Sequence, residues 1–355
     1  MQSYKVIGVM SGTSLDGLDI ACCIFNKSER AWSYKIAEAD TIPYNDEILK
    51  MLISASKTSA MELIKINNLY GQYIGGEVFK FLKKYKLEVD IISSHGHTIF
   101  HQPAEGYTFQ LGSGANIASE TGTTTICDFR SLDVSNGGQG APLVPVGDNL
   151  LFGDYEFCLN LGGFSNISFK EDNRRVAFDI CPVNIIINKF AEQVGMQYDE
   201  DGKIARKGNI QTELLNKLND LSFYKTNYPK SLGREWLEEE FIPVIQKYKY
   251  SLEDKLRTIY EHIAIQITVA MNKKSTGKVL VTGGGTFNAF LIELISQKTQ
   301  HNIIIPDIKL VKYKEAMIFA FLGVLRYRNE VNCYSSVTGA NCDSCTGVIH
   351  NMIKF

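Results

Sequence analysis

The sequence predicts an α/β protein. Segments with strand-like alternation exchange with segments of helical periodicity along most of the 355 residues, which favours sheets covered by helices. A strand, a Gly-rich polar turn and a second strand lie near the N-terminus, over residues 4–25, and the same order recurs over residues 155–170. Two similar units predict a duplicated fold whose halves face each other across a cleft. The alternative is that Gly-rich hairpins are simply common.

The composition is that of an ordinary globular chain. Hydrophobic residues make up 45% of it, and the length allows two domains with sizeable cores. With 37 basic against 39 acidic residues, no net field attracts nucleic acid or acidic lipid. No secretory signal or membrane span is visible, and eight cysteines favour reduced thiols. We therefore expect a cytoplasmic protein with small-molecule partners, without nucleic acid or membrane.

The elements can be predicted in chain order. Apolar strands are expected over residues 4–10 and 18–25, and a helical pattern covers 45–86. We predict that VDIISSHGHTIFHQP is a strand entering a polar turn, and that DFRSLDVSNGGQGAPLVP is a long Gly-rich loop. Residues 174–180 form a further strand, after which Pro182 is expected to open a helix with the preceding residue as its cap. Other helices are predicted near 183–194, 210–221, 234–248, 252–273, 287–298 and 315–328.

The first turn, SGTSLDG, is suited to bind phosphate. Its glycines leave backbone amides accessible, and its hydroxyls add donors. It is not a Walker loop, because it lacks Gly-Lys-Ser/Thr and precedes a strand rather than a helix. Asp16 adds a carboxylate that can hold a hydrated metal ion, and the alternative is a decorated turn without a ligand. The residues predicted to bind here are Gly12, Thr13, Ser14, Asp16, Gly17 and Asp19.

Two further Gly-rich loops follow strands. One is the turn of LNLGGFSNIS, and the other ends the strand KVLVT with three glycines before a helix. Such glycines let a ring or ribose lie against the backbone, and the helix start adds a positive dipole end. The residues predicted to bind in these loops are Gly162, Gly163, Ser165, Asn166, Gly283, Gly284 and Gly285.

Several motifs resemble a known family. The chain is similar to the 1,6-anhydro-N-acetylmuramic acid kinases, of the hexokinase/actin superfamily, in MSGTSLDGLDIA, GHTIFHQP, DFRSLDVSNGGQGAPLVP, LNLGGFSNIS, KSLGREW and VTGGGTFN. The resemblance implies two actin-like (ribonuclease H-like) domains with a nucleotide and sugar cleft between them. We expect residues 1–125, completed by part of the C-terminal segment, to form the first domain, and residues 126–355 the second. The resemblance also implies ATP and Mg²⁺ as cofactors, a role in peptidoglycan recycling, and a homodimer.

Asp179 is the predicted general base. It lies at the exit of a strand and is poorly placed to cap the next helix, and a carboxylate there suits proton abstraction. The family's general-base aspartate falls on this residue. The resemblance implies that it takes a proton from a water that opens the 1,6-anhydro bridge, after which the freed O6 attacks the γ-phosphoryl group of ATP. The alternative is a structural aspartate bonded to loop amides.

Three residues are candidates for binding the sugar. Its lactyl carboxylate suits a guanidinium group, which binds bidentately, and Arg130 is the first choice. The alternative is that Arg130 pairs with Asp128 or Asp133 to stiffen its loop. Thr98 and Glu315 match family positions that contact sugar; the alternatives are a turn hydroxyl and a helix-start carboxylate.

Next to Asp179 the chain departs from the family pattern, which usually has a threonine, two glycines and a carboxylate. The residues that replace them are Ile180, Cys181, Val183 and Asn188. We expect a bulkier and more apolar pocket, so a weak or inactive nucleotide- and sugar-binding sensor, or a kinase for a different anhydro sugar, remains an alternative.

Histidines in GHTIFHQP and before it suggest a third reading, a metal-dependent hydrolase. Zn²⁺ accepts such ligands, but the segment offers no paired motif with carboxylate or cysteine. We expect these side chains to line the cleft or to bond the loop. They are His95, His97 and His101.

Overall fold

A computed structural model describes residues 2–12, 15–29, 31–272 and 276–352 of the chain. It divides into two compact units. The first unit comprises Met1–Leu151 and Tyr313–Phe355, and the second comprises Phe152–Lys312. Within the described ranges, no helix has the length and apolar character needed to cross a membrane.

Within the described residues, each unit contains one β-sheet. In chain order the strands are β1 (Gln2–Ser11), β2 (Leu18–Lys27), β3 (Trp32–Ile42), β4 (Ile91–Gln102), β5 (Tyr107–Leu111), β6 (Thr125–Cys127), β7 (Phe157–Leu161), β8 (Phe164–Glu171), β9 (Arg174–Pro182), β10 (Lys278–Thr282), β11 (Asn302–Ile304) and β12 (Val348–His350). The order across the first sheet is β12-β6-β4-β1-β2-β3, with β5 paired to β4, and across the second it is β11-β10-β7-β8-β9.

The two sheets share one topology. In the first, β1, β2 and β3 form an antiparallel meander, β4 runs parallel to β1, and β6 runs parallel to β4. In the second, β7, β8 and β9 form the meander, β10 runs parallel to β7, and β11 runs parallel to β10. The prediction of an α/β protein with a duplicated, actin-like (ribonuclease H-like) domain is confirmed.

Helices connect the strands and cover the sheets. They are α1 (Asp46–Ser54), α2 (Ala60–Tyr85), α3 (Gly114–Thr121), α4 (Ser131–Ser135), α5 (Pro145–Leu151), α6 (Asn184–Ala191), α7 (Thr212–Asn219), α8 (Ser222–Lys225), α9 (Arg234–Trp236), α10 (Ile242–Gln246), α11 (Leu252–Met271), α12 (Ala289–Lys298), α13 (Ile308–Tyr327) and α14 (Ser335–Thr338). A π-helical turn, Leu237–Phe241, joins α9 to α10. Short 3₁₀ turns lie at Ala55–Lys57, Pro103–Glu105, Glu192–Val194, Glu200–Gly202, Ala205–Lys207 and Gly284–Phe287.

The helical pattern over residues 45–86 consists of two helices. The side chains of Asn45 and Ser59 each accept a hydrogen bond from the backbone N–H three residues on, which caps α1 and α2 respectively. Lys86 ends α2 in the left-handed conformation. Helical spacing then places one apolar face of α2 in the core of the first unit. Its buried hydrophobic residues are Ile66, Tyr70, Ile74, Val78 and Phe81.

In the first unit, α13 packs closely on the strands beneath it. A Cβ at Gly8 of β1 would overlap with the carbonyl oxygen of Ala316, and one at Gly323 would lie 2.6 Å from the Ser93 side chain. The Ser93 hydroxyl donates a hydrogen bond to the carbonyl oxygen of Phe319 at 2.5 Å. Glycine at these two positions therefore allows α13 to pack closely on the sheet.

The division between the units differs from the predicted boundary after residue 125. β6 pairs with β4 and with β12, so the chain up to Leu151 packs with the first sheet. The C-terminal segment that joins this unit begins at Tyr313.

Some local predictions were wrong, and others differ in where elements end. β4 continues to Gln102, because β5 pairs with its second half, and the predicted turn follows at Pro103–Glu105. β9 likewise continues to Pro182, which pairs with Phe164, and α6 begins only at Asn184. The Gly-rich loop contains the short helices α4 and α5. α13 begins at Ile308, but its backbone is non-helical at Tyr313, and the helix predicted near 315–328 is the part that follows this break.

Replacing Gly8 by alanine is expected to lower the free energy of unfolding by about 1–3 kcal/mol, because the added methyl group overpacks the contact with α13. Urea unfolding measures the change. Gly76→Ala is the matched control, since a Cβ there meets nothing within 4 Å. Because Gly76 lies in the interior of α2, its replacement by alanine is expected to raise the free energy of unfolding by roughly 0.5–1 kcal/mol. Equal effects of the two substitutions would contradict the packing argument.

Candidate active site

In the first unit, three directly opposed residues form a row across the meander beside its Gly-rich turn. They are Met10 of β1, Asp19 of β2 and Thr41 of β3. The Thr41 hydroxyl donates to the Asp19 carboxylate at 2.6 Å and lies 3.2 Å from the Tyr313 hydroxyl. Burial raises the pKa of Asp19, the hydrogen bond from Thr41 opposes this, and the charge of Asp16 adds to it. Two predicted acidic residues are thus brought within electrostatic range of each other.

The turn that joins β1 to β2 is tight. The Leu15 N–H donates to the carbonyl oxygen of Gly12 at 3.2 Å, and Leu15 has a positive φ of 62°. A Cβ at Gly17 would lie 2.6 Å from the carbonyl oxygen of Ile42, so the close approach to β3 requires glycine. Asp16 is exposed in this turn. Two predicted phosphate ligands, Thr13 and Ser14, lie outside the described residues.

In the second unit the corresponding row is more polar. Asn160 of β7 lies opposite Asn166 of β8, which lies opposite Asp179 of β9. Directly opposed residues of antiparallel strands share a face, and all three are half-buried. The register shifts next to this row, leaving Ile180 as the extra residue of a β-bulge. Such bulges aim a side chain away from the regular pleat.

The backbone of the segment KSLGREW holds Asp179. The Leu232 N–H donates to the carboxylate oxygen Oδ2 at 2.9 Å, and the Asp179 N–H donates to the Lys230 carbonyl oxygen at 3.1 Å. Within the described residues, the other carboxylate oxygen accepts no hydrogen bond from the protein. Burial raises the pKa of Asp179 to about 6, against the opposing effect of the Leu232 amide. One loop amide therefore bonds Asp179, as the structural alternative expected. The other carboxylate oxygen stays available to receive a proton.

The turn between β7 and β8 holds the start of α6. The Gly163 carbonyl oxygen accepts from the N–H groups of Val183 and Ile185, and that of Gly162 accepts from Asn184. The N–H groups of the two glycines donate to no protein group in the part of the chain that the structure describes. The turn therefore presents donors of the kind that bind phosphate oxygens.

Ser165 differs from its predicted role. Its hydroxyl is fully buried, donates to the Cys181 carbonyl oxygen at 3.1 Å and accepts from the Cys181 N–H at 3.3 Å. Because β8 and β9 pair at this point, the hydroxyl closes the hairpin and does not face the Gly-rich turn. The prediction of Ser165 as a phosphate contact is therefore wrong.

Of the three consecutive glycines, two are needed for packing. A Cβ at Gly283, where φ is 88°, would lie 2.6 Å from Asn160 Oδ1, and one at Gly285 would lie 2.7 Å from the Leu161 Cβ. Gly284 is exposed, and its nearest neighbour would be Asn184 Nδ2 at 3.5 Å. The surface open to a ring or ribose is thus centred on Gly284, while the other two glycines pack the turn against β7.

The residues that depart from the family pattern do not crowd Asp179. Ile180, Cys181 and Val183 are buried in the hydrophobic core of the second unit, and Asn188 is half-buried on α6. The expectation of a bulkier, more apolar pocket is wrong, since the added side-chain volume is in the core. The observation that favoured a sensor is therefore lost.

In the first unit, Arg130 contacts neither of the carboxylates that the alternative named. Its Nη1 donates to the Gly140 carbonyl oxygen at 2.8 Å, and its Nε donates to His95 Nε2 at 3.0 Å. Burial lowers the pKa of Arg130 to about 10, and the charge of Glu315 opposes this shift. Asp133 instead accepts from the Gly140 N–H at 2.8 Å, so the carboxylate and the arginine hold the same loop residue without contacting each other.

The other two sugar candidates lie on β4 and α13. Thr98 is half-buried and pairs with Gln110 of β5, so it is a strand residue and not a turn hydroxyl. Glu315 is exposed and lies in the first turn of α13 after the non-helical residue Tyr313, so the helix-start alternative stays open. The neighbouring Lys314 is buried and forms an ion pair with Asp148 at 2.8 Å.

The three histidines have separate partners. His95 bonds Arg130, His97 Nδ1 lies 2.9 Å from the Ser11 hydroxyl, and His101 Nδ1 lies 3.1 Å from the Thr108 hydroxyl. Over the described ranges, no three His, Cys, Asp or Glu side chains are grouped to hold a metal ion. A histidine metal site therefore finds no support in the geometry.

Sequence reasoning missed two contributors to the site and the partner of a third. Asn160 is the one polar residue of the strand FCLNL, which is a usable signal for a side chain facing the site. The Leu232 amide has no sequence signal, because a backbone donor belongs to every non-proline residue. His95 was noticed, but its pairing with Arg130 depends on contacts between residues 35 positions apart.

A duplicated actin-like fold with Gly-rich turns at its strand ends and a half-buried carboxylate beside one of them defines a protein of the actin-like kinase class. Residues 4–352 match the family described as "AnmK: Anhydro-N-acetylmuramic acid kinase". The anhydro-N-acetylmuramic acid kinase of Bacillus cereus (strain Q1) is 34% identical over 366 residues, covering 94% of this chain and 96% of the relative. That of Francisella tularensis subsp. novicida (strain U112) is 34% identical over 379 residues, covering 99% and 100%. The chain belongs to the anhydro-N-acetylmuramic acid kinase family of sugar kinases.

Among solved structures, the chain is similar to the activator of 2-hydroxyisocaproyl-CoA dehydratase from Clostridium difficile with bound ADPNP. The sequence identity is 14% and the TM-score 0.43, over 91% of this chain and 97% of the other.

Asp179→Asn is expected to stabilise the fold above about pH 6. The folded-state pKa of about 6 exceeds the ordinary value near 3.9. The protonated carboxyl group therefore stabilises the folded state fully below about pH 3.9, and this stabilisation is lost as the pH rises through 6. The variant is therefore expected to exceed the wild type by about 1–3 kcal/mol in free energy of unfolding at pH 8, and to equal it at pH 3.5. Asp172→Asn, in the exposed turn before β9, is the control of the same carboxylate-to-amide kind, and we expect it to change the free energy of unfolding little in the same urea experiment. A constant difference across this pH range would contradict the assignment.

Proposed function

We propose that this chain uses ATP to convert 1,6-anhydro-N-acetylmuramic acid and water into N-acetylmuramic acid 6-phosphate and ADP, in the recycling of peptidoglycan. Its family supports ATP and this sugar as the substrates. The observation that carries the mechanism is Asp179, a half-buried carboxyl group whose pKa is raised to about 6 beside a Gly-rich turn. A base with a pKa close to the working pH is ionised and still accepts a proton effectively.

Asp179 starts the reaction as general base. Its carboxylate takes a proton from a water molecule, whose oxygen forms a bond with the anomeric carbon as the bond from that carbon to O6 breaks. The Leu232 amide orients the carboxylate through Oδ2, which supports proton uptake at the other oxygen. Asn166 shares a face with the base, and its amide is suited to orient the water.

The freed O6 then attacks the γ-phosphorus of ATP, and the bond to the β-phosphate oxygen breaks to release ADP. Phosphoryl transfer requires mainly positioning and neutralisation of charge. The amides of Gly162 and Gly163 suit phosphate oxygens, and Gly284 suits the nucleoside. The turn from Gly12 to Asp19 is assigned to the phosphates as well.

The residues of the first turn also fit Mg²⁺. Mg²⁺ is commonly held by one or two carboxylates, with water and substrate phosphates as its other ligands. Asp16 is exposed and within electrostatic range of Asp19, so we assign Asp16 to the metal through water. When bound, the ion would neutralise phosphate charge.

The sugar is assigned to the first unit. Arg130 is proposed to bind the lactyl carboxylate, and Thr98 and Glu315 to bond its hydroxyl or amide groups. We further propose that the chain acts in the cytoplasm as a homodimer, as the family resemblance implies, and size-exclusion chromatography with light scattering tests the dimer.

The product itself tests the reaction. The protein, MgATP and 1,6-anhydro-N-acetylmuramic acid are incubated in ¹⁸O-labelled water, and the sugar product is analysed by mass spectrometry immediately after quenching. We expect a mass gain of one water and one phosphoryl group, with the label in the sugar and none in the phosphate. A phosphorylated sugar without the added water, or ADP without any phosphorylated sugar, would contradict the proposal.

Asp179→Asn is expected to lower kcat by about 10²–10⁴-fold, the usual contribution of a general base. ATP affinity, measured by calorimetry, is expected to stay close to that of the wild type, because the amide keeps the shape of the carboxyl group. Asp172→Asn serves as the control with normal turnover. If the Asp179 variant turns over normally, the residue is not the base.

A further inference from the structure

The guanidinium group of Arg130 is held on two sides. Nε and Nη2 both donate to His95 Nε2, at 3.0 and 2.8 Å, and Nη1 donates to the Gly140 carbonyl oxygen at 2.8 Å. Since each terminal nitrogen carries two hydrogens, one N–H of Nη1 and one of Nη2 remain. With one donor left on each terminal nitrogen, Arg130 can still bind a carboxylate.

The Nε2 atom of His95 must be a hydrogen-bond acceptor. Its Nδ1 lies 2.9 Å from the carbonyl oxygen of Gly96, which only accepts, so Nδ1 carries the hydrogen. The imidazole is therefore neutral, with its Nε2 lone pair directed at the arginine. Burial and the charge of Arg130 lower the pKa of His95 well below its ordinary range, in agreement with this tautomer.

The other side of the guanidinium group rests on a loop that is itself fixed. The Gly140 N–H donates to Asp133 Oδ2, and the other oxygen of that buried carboxylate accepts from the Thr338 hydroxyl at 2.8 Å and the Cys333 thiol at 3.1 Å. The acceptor for Nη1 is thus anchored to the C-terminal segment. The arginine has little freedom left to lose when a ligand binds.

We propose that His95 is a positioning residue that orients Arg130 for the carboxylate of the sugar. This inference rests on the proposed function, in which Arg130 binds that carboxylate. A free arginine side chain loses conformational entropy when it is immobilised, so an arginine held in advance binds an anion more tightly. The alternative is that His95 only fills space, since its ring lies 4.5 Å from that of Phe319.

Two amide substitutions separate these roles. In His95→Gln the side-chain oxygen reaches the position of Nε2 and accepts from Arg130. In His95→Asn the shorter amide reaches only the position of Nδ1, keeping the bond to Gly96 and leaving the arginine without its acceptor. Calorimetry measures binding of 1,6-anhydro-N-acetylmuramic acid and of its neutral methyl ester, and kinetics give KM and kcat.

We expect H95N to weaken binding of the acid and to raise its KM by about 3- to 10-fold, the cost of immobilising one long side chain. Binding of the ester and kcat are expected to stay near wild-type values, and H95Q is expected to restore binding of the acid. If H95N does not fold, His95→Leu replaces it as the variant without an acceptor, with the same expected result. Equal losses in H95N and H95Q, for acid and ester alike, would assign His95 to packing and overturn the inference.

Arg130→Met distinguishes failure of the inference from failure of the proposed function. If this variant still prefers the acid over the ester as the wild type does, Arg130 does not bind the carboxylate and the proposed function fails at that contact. If the variant loses the preference while H95N keeps it, the role of Arg130 stands and the positioning role of His95 is overturned. Loss of the preference in both variants, with its recovery in H95Q, supports the inference.

Discussion

The register of the three-stranded meander is the constraint on which the candidate site depends. Side chains alternate between the faces of a strand, so a slip of one residue would move every polar group to the opposite face. In the second unit the register places Asn160, Asn166 and Asp179 in one row, and a bulge at Ile180 adjusts the last of them. The Gly-rich turn that closes β7 onto β8 also holds the start of α6. The base, its neighbours and the phosphate donors therefore share one three-stranded meander.

Keeping a carboxyl group half-buried beside that turn has an energetic cost. Desolvation disfavours its charged form, and only one amide of the described chain offsets this at Asp179. Asp19 in the first unit experiences the same burial, but the Thr41 hydroxyl compensates it more directly. The two meanders thus use one topology for two kinds of carboxylate. In the first unit, Asp19 is hydrogen-bonded to a neighbouring strand. In the second, one oxygen of Asp179 remains available to accept a proton.

Much of the fold was predictable from local pattern. Hydrophobic alternation and Gly-rich turns identified the two hairpins, and their repetition predicted the duplicated topology. The ends of elements were predicted less well. β4 and β9 continue beyond the apolar segments that predicted them, because β5 and β8 supply pairing partners that local sequence does not reveal. The same pairing explains why Ser165 faces Cys181 rather than the turn.

The sequence by itself determined the α/β class, the family and the identity of Asp179 and Arg130 as candidates, because these depend on residue type and on spacing along the chain. Only the tertiary structure decided what surrounds them. Leu232 reaches Asp179 and His95 reaches Arg130 across long stretches of chain. Cys181 and Val183, which were expected to make the pocket bulkier, lie in the core. Burial, hydrogen-bond partners and the resulting pKa values depend on distances in space, and those distances are set when the sheets and helices pack.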